Sequence, residues 1–307
     1  MRTSLRLLAV SLLATAAWGV APARGDALYV SLYNGTPFDG TIARIDTATG
    51  ARSTFAAAES SNRSGLAFDR AGNLFVANSN DTIERFTPAG VGTYFADTTA
   101  GLSRPTGLAF DASGNLLVAD AGNNTIQRFT PGGVATTFAS TGLDYPFALA
   151  FDAAGNLFVA NENGGTIERF TPGGVGTLFA SGLSFPSGLA FDASGNLYVS
   201  IAGAGNNAIE RFTPGGVGTV FASTGLSAPE GLAFDRAGNL FVANVGNLTI
   251  ERFTPGGVGT VFATVSGVPL FLAFGPSAMS VPEPSALALL GVGGSILLVR
   301  LRRRVAV

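Results

Sequence analysis

Short apolar runs separated by turn residues recur along most of the chain, and they predict a protein built from β-strands. In the copy that starts at Thr106 the runs are GLAF, NLLVA, TIQRF and ATTFA, here named a, b, c and d. Asp-x-x-Gly-Asn stands between a and b, and Thr-Pro-Gly-Gly stands between c and d. Both segments favour tight chain reversals. Each copy therefore predicts four antiparallel strands.

The spacing of the copies predicts how many sheets the chain forms. The phenylalanine that ends each a run recurs at Phe68, Phe110, Phe151, Phe191, Phe234 and Phe274, in steps of 40 to 43 residues. Four strands in such a period are typical of a β-propeller blade. The chain begins on a b run and finishes on an a run, so Leu270 to Phe274 would complete the blade opened by Leu28 to Phe55. We predict an all-β, six-bladed β-propeller of four-stranded blades, closed by the C-terminal a strand joining the N-terminal blade.

The segments on both sides of the repeats predict targeting functions. Arg2 and Arg6 precede an apolar run and then small residues up to Gly25, as in a secretory signal peptide. We therefore predict a signal peptide at residues 1–25, the propeller at 26–277 and a C-terminal segment at 278–307. In that last segment an apolar stretch from Ser285 to Val299 is followed by arginines. Fifteen to 17 apolar residues make a short membrane helix, with the arginines on the cytoplasmic side.

Charge and composition exclude several functions. Residues 26–280 carry 11 arginines against 19 acidic residues, so this part of the chain is near −8 and shows no basic face for nucleic acid. The whole chain contains no cysteine and no histidine. Thiol nucleophiles, Ser-His-Asp triads and histidine-bound metals are therefore excluded. Carboxylate chemistry remains, and calcium is the ion that Asp, Glu and Asn oxygens would bind; we otherwise expect no cofactor.

Two sets of acidic residues repeat once per blade, and we interpret both as structural. Asp69, Asp111, Asp152, Asp192 and Asp235 occupy the same place in the a–b turn. A side chain that every blade carries is better explained by what every blade needs, which is a hairpin. Glu84, Glu168, Glu210 and Glu251 repeat on strand c, where we expect pairing with one another or with neighbouring blades. The first blade has Ala43 there instead.

Functional residues are expected where the copies differ. Alternating strand directions place the a–b and c–d turns on one rim of the ring and the variable b–c and d–a loops on the other. Aromatic, acidic and arginine side chains occur in these loops, and they suit sugar faces and hydroxyl groups. The alternative is that they are solvated loop tips with a few aromatic residues packed inward. The predicted ligand-binding residues are Tyr33, Asp39, Arg63, Arg104, Asp144, Tyr145, Phe185 and Glu230.

The repeats resemble the NHL repeat family over residues 26–277. The match is clearest at Pro105 to Gly132, where the family positions are filled by Asp111, Gly114, Asn115, Val118, Asp120, Asn123, Ile126 and Phe129. One departure recurs, because the second aspartate is asparagine at Asn78, Asn161 and Asn244. The resemblance implies a propeller. It does not specify function, since such propellers include binding scaffolds, lyases and lactonases.

The C-terminal segment resembles a PEP-CTERM sorting signal. The order is a Val-Pro-Glu-Pro motif, an apolar stretch and terminal arginines, carried by Val281, Pro282, Glu283, Pro284, Arg300, Arg302, Arg303 and Arg304. The resemblance implies recognition by an exosortase-type membrane protease, with transient inner-membrane anchoring. It also implies delivery to the cell surface or an extracellular matrix. An ordinary C-terminal membrane anchor is the alternative.

The sequence favours a noncatalytic exported propeller that binds a glycan or a protein partner at the envelope or in the extracellular matrix. The alternative is a metal-dependent, lactonase-like hydrolase of the same fold, which would need acidic side chains converging at the channel mouth. The Pro-x-Gly-Leu-Ala-Phe copies place small and apolar residues there, with Glu230 the acidic residue close by. A propeller that merely fills the matrix is not separated from the first hypothesis by any residue pattern.

Overall fold

The protein is a ring of six antiparallel sheets. The computed structural model describes residues 26–35, 40–58, 65–203 and 205–275. Within these ranges the chain forms 24 strands in six four-stranded sheets, and one 3₁₀ turn at Thr98–Ala100. This confirms the predicted all-β, six-bladed propeller. Each sheet is one blade, with strand a innermost and strand d at the outer edge.

The strands follow the order a, b, c, d in every blade. Blade 1 contains β24 (Val268–Phe274), β1 (Ala27–Tyr33), β2 (Gly40–Asp46) and β3 (Arg52–Ala58). Blade 2 contains β4 (Leu66–Phe68), β5 (Leu74–Asn78), β6 (Thr82–Phe86) and β7 (Gly92–Ala96). Blade 3 contains β8 (Pro105–Phe110), β9 (Leu116–Asp120), β10 (Thr125–Phe129) and β11 (Ala135–Ala139).

The second half of the ring repeats this arrangement. Blade 4 contains β12 (Pro146–Phe151), β13 (Leu157–Asn161), β14 (Thr166–Phe170) and β15 (Gly176–Ser181). Blade 5 contains β16 (Pro186–Phe191), β17 (Leu197–Gly203), β18 (Asn206–Phe212) and β19 (Gly218–Ala222). Blade 6 contains β20 (Pro229–Phe234), β21 (Leu240–Asn244), β22 (Thr249–Phe253) and β23 (Gly259–Thr264).

The two ends of the described chain close the ring, as predicted. β24 pairs antiparallel with β1, in a register that runs from Leu28 opposite Phe274 to Tyr33 opposite Val268. The amide of Gly275 adds a hydrogen bond to the Ala27 carbonyl at 3.0 Å. The last strand therefore supplies the inner strand of the first blade, and no inner sheet edge is left unpaired there.

The repeated turn aspartates hold hairpins together. In blade 3, Asp111 Oδ1 accepts a hydrogen bond from the Asn115 amide at 2.8 Å, and its Oδ2 accepts one from Asn115 Nδ2 at 2.7 Å. Gly114 between them has φ = 84°, a conformation that glycine adopts without strain. Both carboxylate oxygens are thus engaged within the turn, which agrees with the structural interpretation of this set.

Hydrophobic contacts between neighbouring blades form the core. Phe158 of blade 4 meets Phe179 of its own blade and Phe191 of blade 5 edge to face, with ring centroids 4.9 and 5.0 Å apart. Leu197 and Val199 of blade 5 are fully buried against the same cluster. Equivalent aromatic pairs recur in the other blades. Because each blade buries both faces against its neighbours, the ring stabilises itself without disulfides.

The connections divide between two rims, as the strand directions require. A Cβ added to Gly114 in an a–b turn would lie 3.9 Å from Pro131 in the c–d turn of the same blade. On the opposite rim, the Tyr145 amide of a d–a loop donates to Asn124 Oδ1 of a b–c loop at 2.6 Å. We call the first the turn rim and the second the loop rim. The d–a segments that join neighbouring blades are called crossover loops.

Candidate functional site

Three of the predicted site residues occupy one structural position on the loop rim. Arg104, Tyr145 and Phe185 each directly precede the proline that opens an a strand, and Ala228 does so in blade 6. Their φ angles are 50°, 55°, 51° and 45°. This left-handed region is uncommon for residues with a Cβ, and such strain often marks functional sites. We call these four residues the pre-proline arc.

Side chains of the preceding blade hold two residues of the arc in this conformation. The Arg104 amide donates to Asp81 Oδ1 at 2.7 Å, and the Tyr145 amide donates to Asn124 Oδ1 at 2.6 Å. Asp81 and Asn124 are themselves left-handed, with φ of 66° and 52°. Asp and Asn tolerate this region better than other side chains. The Arg104 and Tyr145 side chains are therefore presented from a backbone fixed by bonds between blades.

The asparagine that replaces the second aspartate of the repeat braces the crossover loop. Asn161 Oδ1 accepts from the Asp144 amide at 3.2 Å, while its Nδ2 donates to the Gly142 carbonyl at 2.8 Å. In blade 3 the same position is Asp120, which accepts a hydrogen bond from the Ser103 amide at 2.7 Å. An aspartate cannot donate to the Gly101 carbonyl, and Asn123 Nδ2 makes that bond instead. Burial raises the pKa of Asp120 despite these hydrogen bonds. The departure from the family pattern is thus structural.

The remaining predicted site residues are more scattered. Asp144 is exposed on the loop rim beside the arc. Tyr33 and Glu230 are half-buried and lie in strands β1 and β20, so their placement in loops was wrong. Asp39 and Arg63 lie outside the described residues. The structure therefore gathers Arg104, Asp144, Tyr145 and Phe185 in blades 3 to 5 of one rim, with Tyr33 in blade 1 and Glu230 in blade 6.

Two phenylalanines meet across the centre of the ring. Phe147 of β12 and Phe271 of β24 come from opposite blades, and their ring centroids are 5.4 Å apart. Phe147 is completely buried. Neighbouring a strands approach closely here, since a Cβ added to Gly107 would lie 2.5 Å from the Phe147 carbonyl oxygen. The channel thus contains an apolar plug, here called the central plug.

The strand c glutamates lie between blades, close to the crossover loops. Glu168 and Glu251 are buried. A Cβ added to Gly142 would lie 3.3 Å from the Glu168 carboxyl carbon, and a Cβ added to Gly225 would lie 3.0 Å from Glu251 Oε1. Burial raises the pKa of Glu168, Glu210 and Glu251. In blade 2 the environment differs, because Asn78 Nδ2 donates to Glu84 Oε2 at 3.1 Å.

Replacing these glutamates by glutamine should stabilise the protein at neutral pH. A glutamate whose pKa is raised on folding stabilises the native state fully below its unfolded pKa, and this stabilisation is lost as pH rises through its folded pKa. At neutral pH the buried carboxylates are charged and unfavourable, and neutral glutamine avoids this cost. We expect the triple variant Glu168→Gln, Glu210→Gln, Glu251→Gln to raise Tm by a few degrees at pH 7, with the gain vanishing below pH 4. Gln127 already fills this position in blade 3, where its Nε2 donates to Thr125 and Thr137.

Thermal melts followed by circular dichroism between pH 3.5 and 8 would measure this effect. Glu162→Gln is the matched control, because it removes the same charge from a half-buried loop position. An equal gain in Tm from the control would attribute the stabilisation to net charge. A gain that persists unchanged at pH 3.5 would contradict the role of carboxylate burial.

The acidic residues do not gather into a metal site in the described part of the chain. No group of three His, Cys, Asp or Glu side chains there is arranged to hold a metal ion. A cavity of about 520 Å³ lies on the turn rim between the a–b turns of blades 2 and 3. Arg70 crosses it, donating from Nη2 to the Ala112 carbonyl at 2.8 Å. This cavity was not expected, because its turns repeat in every blade.

Comparison with known families supports both resemblances seen in the sequence. Residues 102–129 match the model of the NHL repeat, and residues 280–304 match the PEP-CTERM protein-sorting motif. The protein is a six-bladed β-propeller that contains a match to the NHL repeat and a PEP-CTERM sorting motif. The motif implies export, a membrane-anchored sorting step and recognition by an exosortase. Among the described residues of this propeller no helix is long and apolar enough to cross a membrane. The predicted membrane segment and the sorting residues lie outside the described residues.

Solved structures with a similar fold have diverse functions. The crystal structure of a nidogen/laminin complex matches this propeller with a TM-score of 0.72 at 21% identity, over 82% of this chain and 99% of that chain. A gluconolactonase from Xanthomonas campestris gives 0.62 at 20% identity, over 82% and 91%. Virginiamycin B lyase from Staphylococcus aureus gives 0.59 at 19% identity, over 80% of each chain. These likenesses establish the fold alone. No curated protein sequence matches this chain.

Proposed function

We propose that this exported propeller is a noncatalytic binding protein whose loop rim engages a glycan, or else a protein partner, at the cell envelope or in the extracellular matrix. The pre-proline arc is the observation that carries the proposal. It places Arg104, Tyr145 and Phe185 at equivalent positions of three consecutive blades with a left-handed backbone, which hydrogen bonds from the preceding blade hold at Arg104 and Tyr145. Rigid positioning lowers the entropy lost when a ligand binds.

The chemistry of the arc favours a glycan. Phe185 leaves 53% of its surface exposed, so an aromatic face is available to solvent. The exposed Arg104 and Asp144 lie on the same rim, with hydrogen-bonding groups of both charges. An aromatic face can cover the apolar side of a sugar ring, while charged groups bind its hydroxyls. The left-handed φ recurs at all four positions, including Ala228, so this backbone shape belongs to the repeat. The binding chemistry comes from the side chains that differ between blades, those of Arg104, Tyr145 and Phe185.

The lactonase-like alternative needs a set of oxygen ligands near the channel. The meeting of Phe147 and Phe271 puts apolar rings at that place instead. Glu230, the acidic residue close to strand a, lies in β20 with its side chain half-buried. These observations support binding over metal-dependent hydrolysis.

Replacing Phe185 by alanine should weaken glycan binding by about tenfold or more, because a central aromatic anchor contributes on the order of 2 kcal/mol. We would measure the affinity of the full-length protein for a panel of bacterial exopolysaccharides by biolayer interferometry. Tyr94→Ala is the matched control, since Tyr94 is 54% exposed but lies on the outer strand β7. Its affinity should equal that of the unmodified protein.

Three outcomes would redirect the proposal. Equal losses in both variants would mean that the arc is not the site. The partner would be a protein if no glycan binds, and if the unmodified chain binds another protein that Phe185→Ala does not bind. A saturable rise in Tm with calcium, which stabilises the native state by RT ln(1 + [L]/Kd), would instead favour the metal-dependent hydrolase.

A further inference from the structure

The interface between blades 6 and 1, here called the seam, contains a cavity of about 350 Å³. Its floor is apolar and buried, formed by Leu32, Ala43 and Val265, which are 5–8% exposed. Its walls carry hydroxyl and amide groups, among them Asn34 and Thr41, whose side chains are hydrogen-bonded at 3.1 Å. This volume is at the small end of ligand sites, which span about 300–1,000 Å³.

The cavity exists because blade 1 departs from the repeat. Glu84, Gln127, Glu168, Glu210 and Glu251 fill the corresponding position of strand c in the other five blades, whereas blade 1 has Ala43. Beyond the Cβ atom that alanine also has, glutamate carries a methylene and a carboxyl group, and glutamine carries a methylene and an amide group. The seam therefore lacks the carboxyl or amide group that occupies each of the other interfaces.

A second departure places a positive charge beside this gap. Strand d of blades 4 and 5 begins at Gly176 and Gly218, where a Cβ would lie 2.7 Å from the ring of Phe170 or Phe212. Blade 1 has Ile45 in place of that phenylalanine, and Arg52 in place of the glycine. The smaller Ile45 leaves room for the arginine. Arg52 thus lines the interface at which strand c carries Ala43 and not a glutamate or glutamine.

Arg52 is hydrogen-bonded to the end of strand d of blade 6. Its Nη1 donates to the carbonyl of Thr264, which precedes the cavity residues Val265 and Ser266. A guanidinium has five N–H donors, so this bond leaves donors for a further acceptor. Arg52 is exposed, and the cavity is therefore open to ligands from solvent.

We propose that the seam cavity binds a sugar that carries a carboxylate, such as a uronate residue of an acidic polysaccharide. The carboxylate takes the place of the missing glutamate and pairs with Arg52, since guanidinium and carboxylate form paired, charge-assisted hydrogen bonds. The sugar hydroxyls bind Asn34, Thr41 and the neighbouring serine and threonine groups, and the ring lies on the apolar floor. This site is separate from the pre-proline arc and does not depend on it.

Titration of the full-length protein with glucuronate and with glucose, followed by saturation-transfer NMR, tests the proposal. The two sugars differ in the carboxylate, so glucuronate should bind about tenfold or more tightly. Arg52→Gln and Ala43→Glu should each lower glucuronate affinity by a similar factor, the second by restoring the side chain of the other blades. Phe185→Ala should leave it unchanged, which separates this site from the arc.

Each contrary result is decisive. Equal affinity for glucose and glucuronate, or no binding of either, would overturn the proposal. Unchanged glucuronate binding in Arg52→Gln would also overturn it. This substitution is at an exposed position, so we expect it to keep the native melting curve. If Ala43→Glu melts abnormally, Arg52→Gln alone decides the outcome. Loss of glucuronate binding in Phe185→Ala would assign the sugar to the arc instead.

Discussion

A chain that stops after Gly267 is expected to lose the folded ring altogether. It would lack β24, the inner strand of blade 1, and with it the buried Leu270 and Leu272 and the contacts of Phe271 and Phe274. Blade 1 would then expose the edge of β1 in the centre of the ring. Native domains are stable by only about 5–15 kcal/mol, so the loss of one strand with several buried side chains exceeds the margin.

Urea unfolding followed by far-ultraviolet circular dichroism measures this effect. A chain that stops after Ser280 is the control, because it keeps β24 and the Gly275 hydrogen bond while lacking the sorting residues. We expect a cooperative transition for the control and none for the shorter chain. A cooperative transition of similar midpoint in both would mean that β24 is dispensable, and that five complete blades are enough.

Replacing Phe147 by alanine should cost about 3–5 kcal/mol, the range found when a buried phenylalanine is truncated. The side chain is completely buried, and it contacts Phe271 from the opposite side of the ring, so neighbouring atoms cannot readily fill the space. For a domain of this size the loss corresponds to a decrease in Tm of roughly 10 °C. Urea denaturation at pH 7 gives the free energy of unfolding directly.

Phe185→Ala controls for the loss of an aromatic ring as such. Phe185 is largely exposed, so its truncation should change the free energy of unfolding by about 0.5 kcal/mol or less. Phe147→Leu should lie between the two, because it keeps part of the buried volume. If Phe147→Ala proves no more destabilising than Phe185→Ala, the central plug does not contribute to stability.

The fold was predictable because its signals are local and repeated. Turn chemistry such as that of Asp111, Gly114 and Asn115 lies within five residues, and the short apolar runs that form the strands are visible in a single copy. Six repetitions made the strand count reliable. Ring closure by β24 followed from counting alone, since the first copy lacked an a strand.

The site was only partly predictable because it depends on contacts between distant segments. Nothing near Phe147 in sequence indicates that it meets Phe271, which is 124 residues away and replaces a glycine of the repeat. The strain at Arg104 comes from Asp81 in the preceding blade. At the seam, the replacement of glutamate by Ala43 is visible in the sequence, but the cavity requires Arg52 and the crossover loop as well.

The two ends of the described chain lie on the same side of the ring. β24 runs from the loop rim to the turn rim, so Gly275 leaves the ring on the side opposite the pre-proline arc. The amide of Gly275 is bonded to the carbonyl of Ala27, so both described chain ends lie together on the turn rim. A segment that continues from either end therefore starts on the side of the ring opposite the arc.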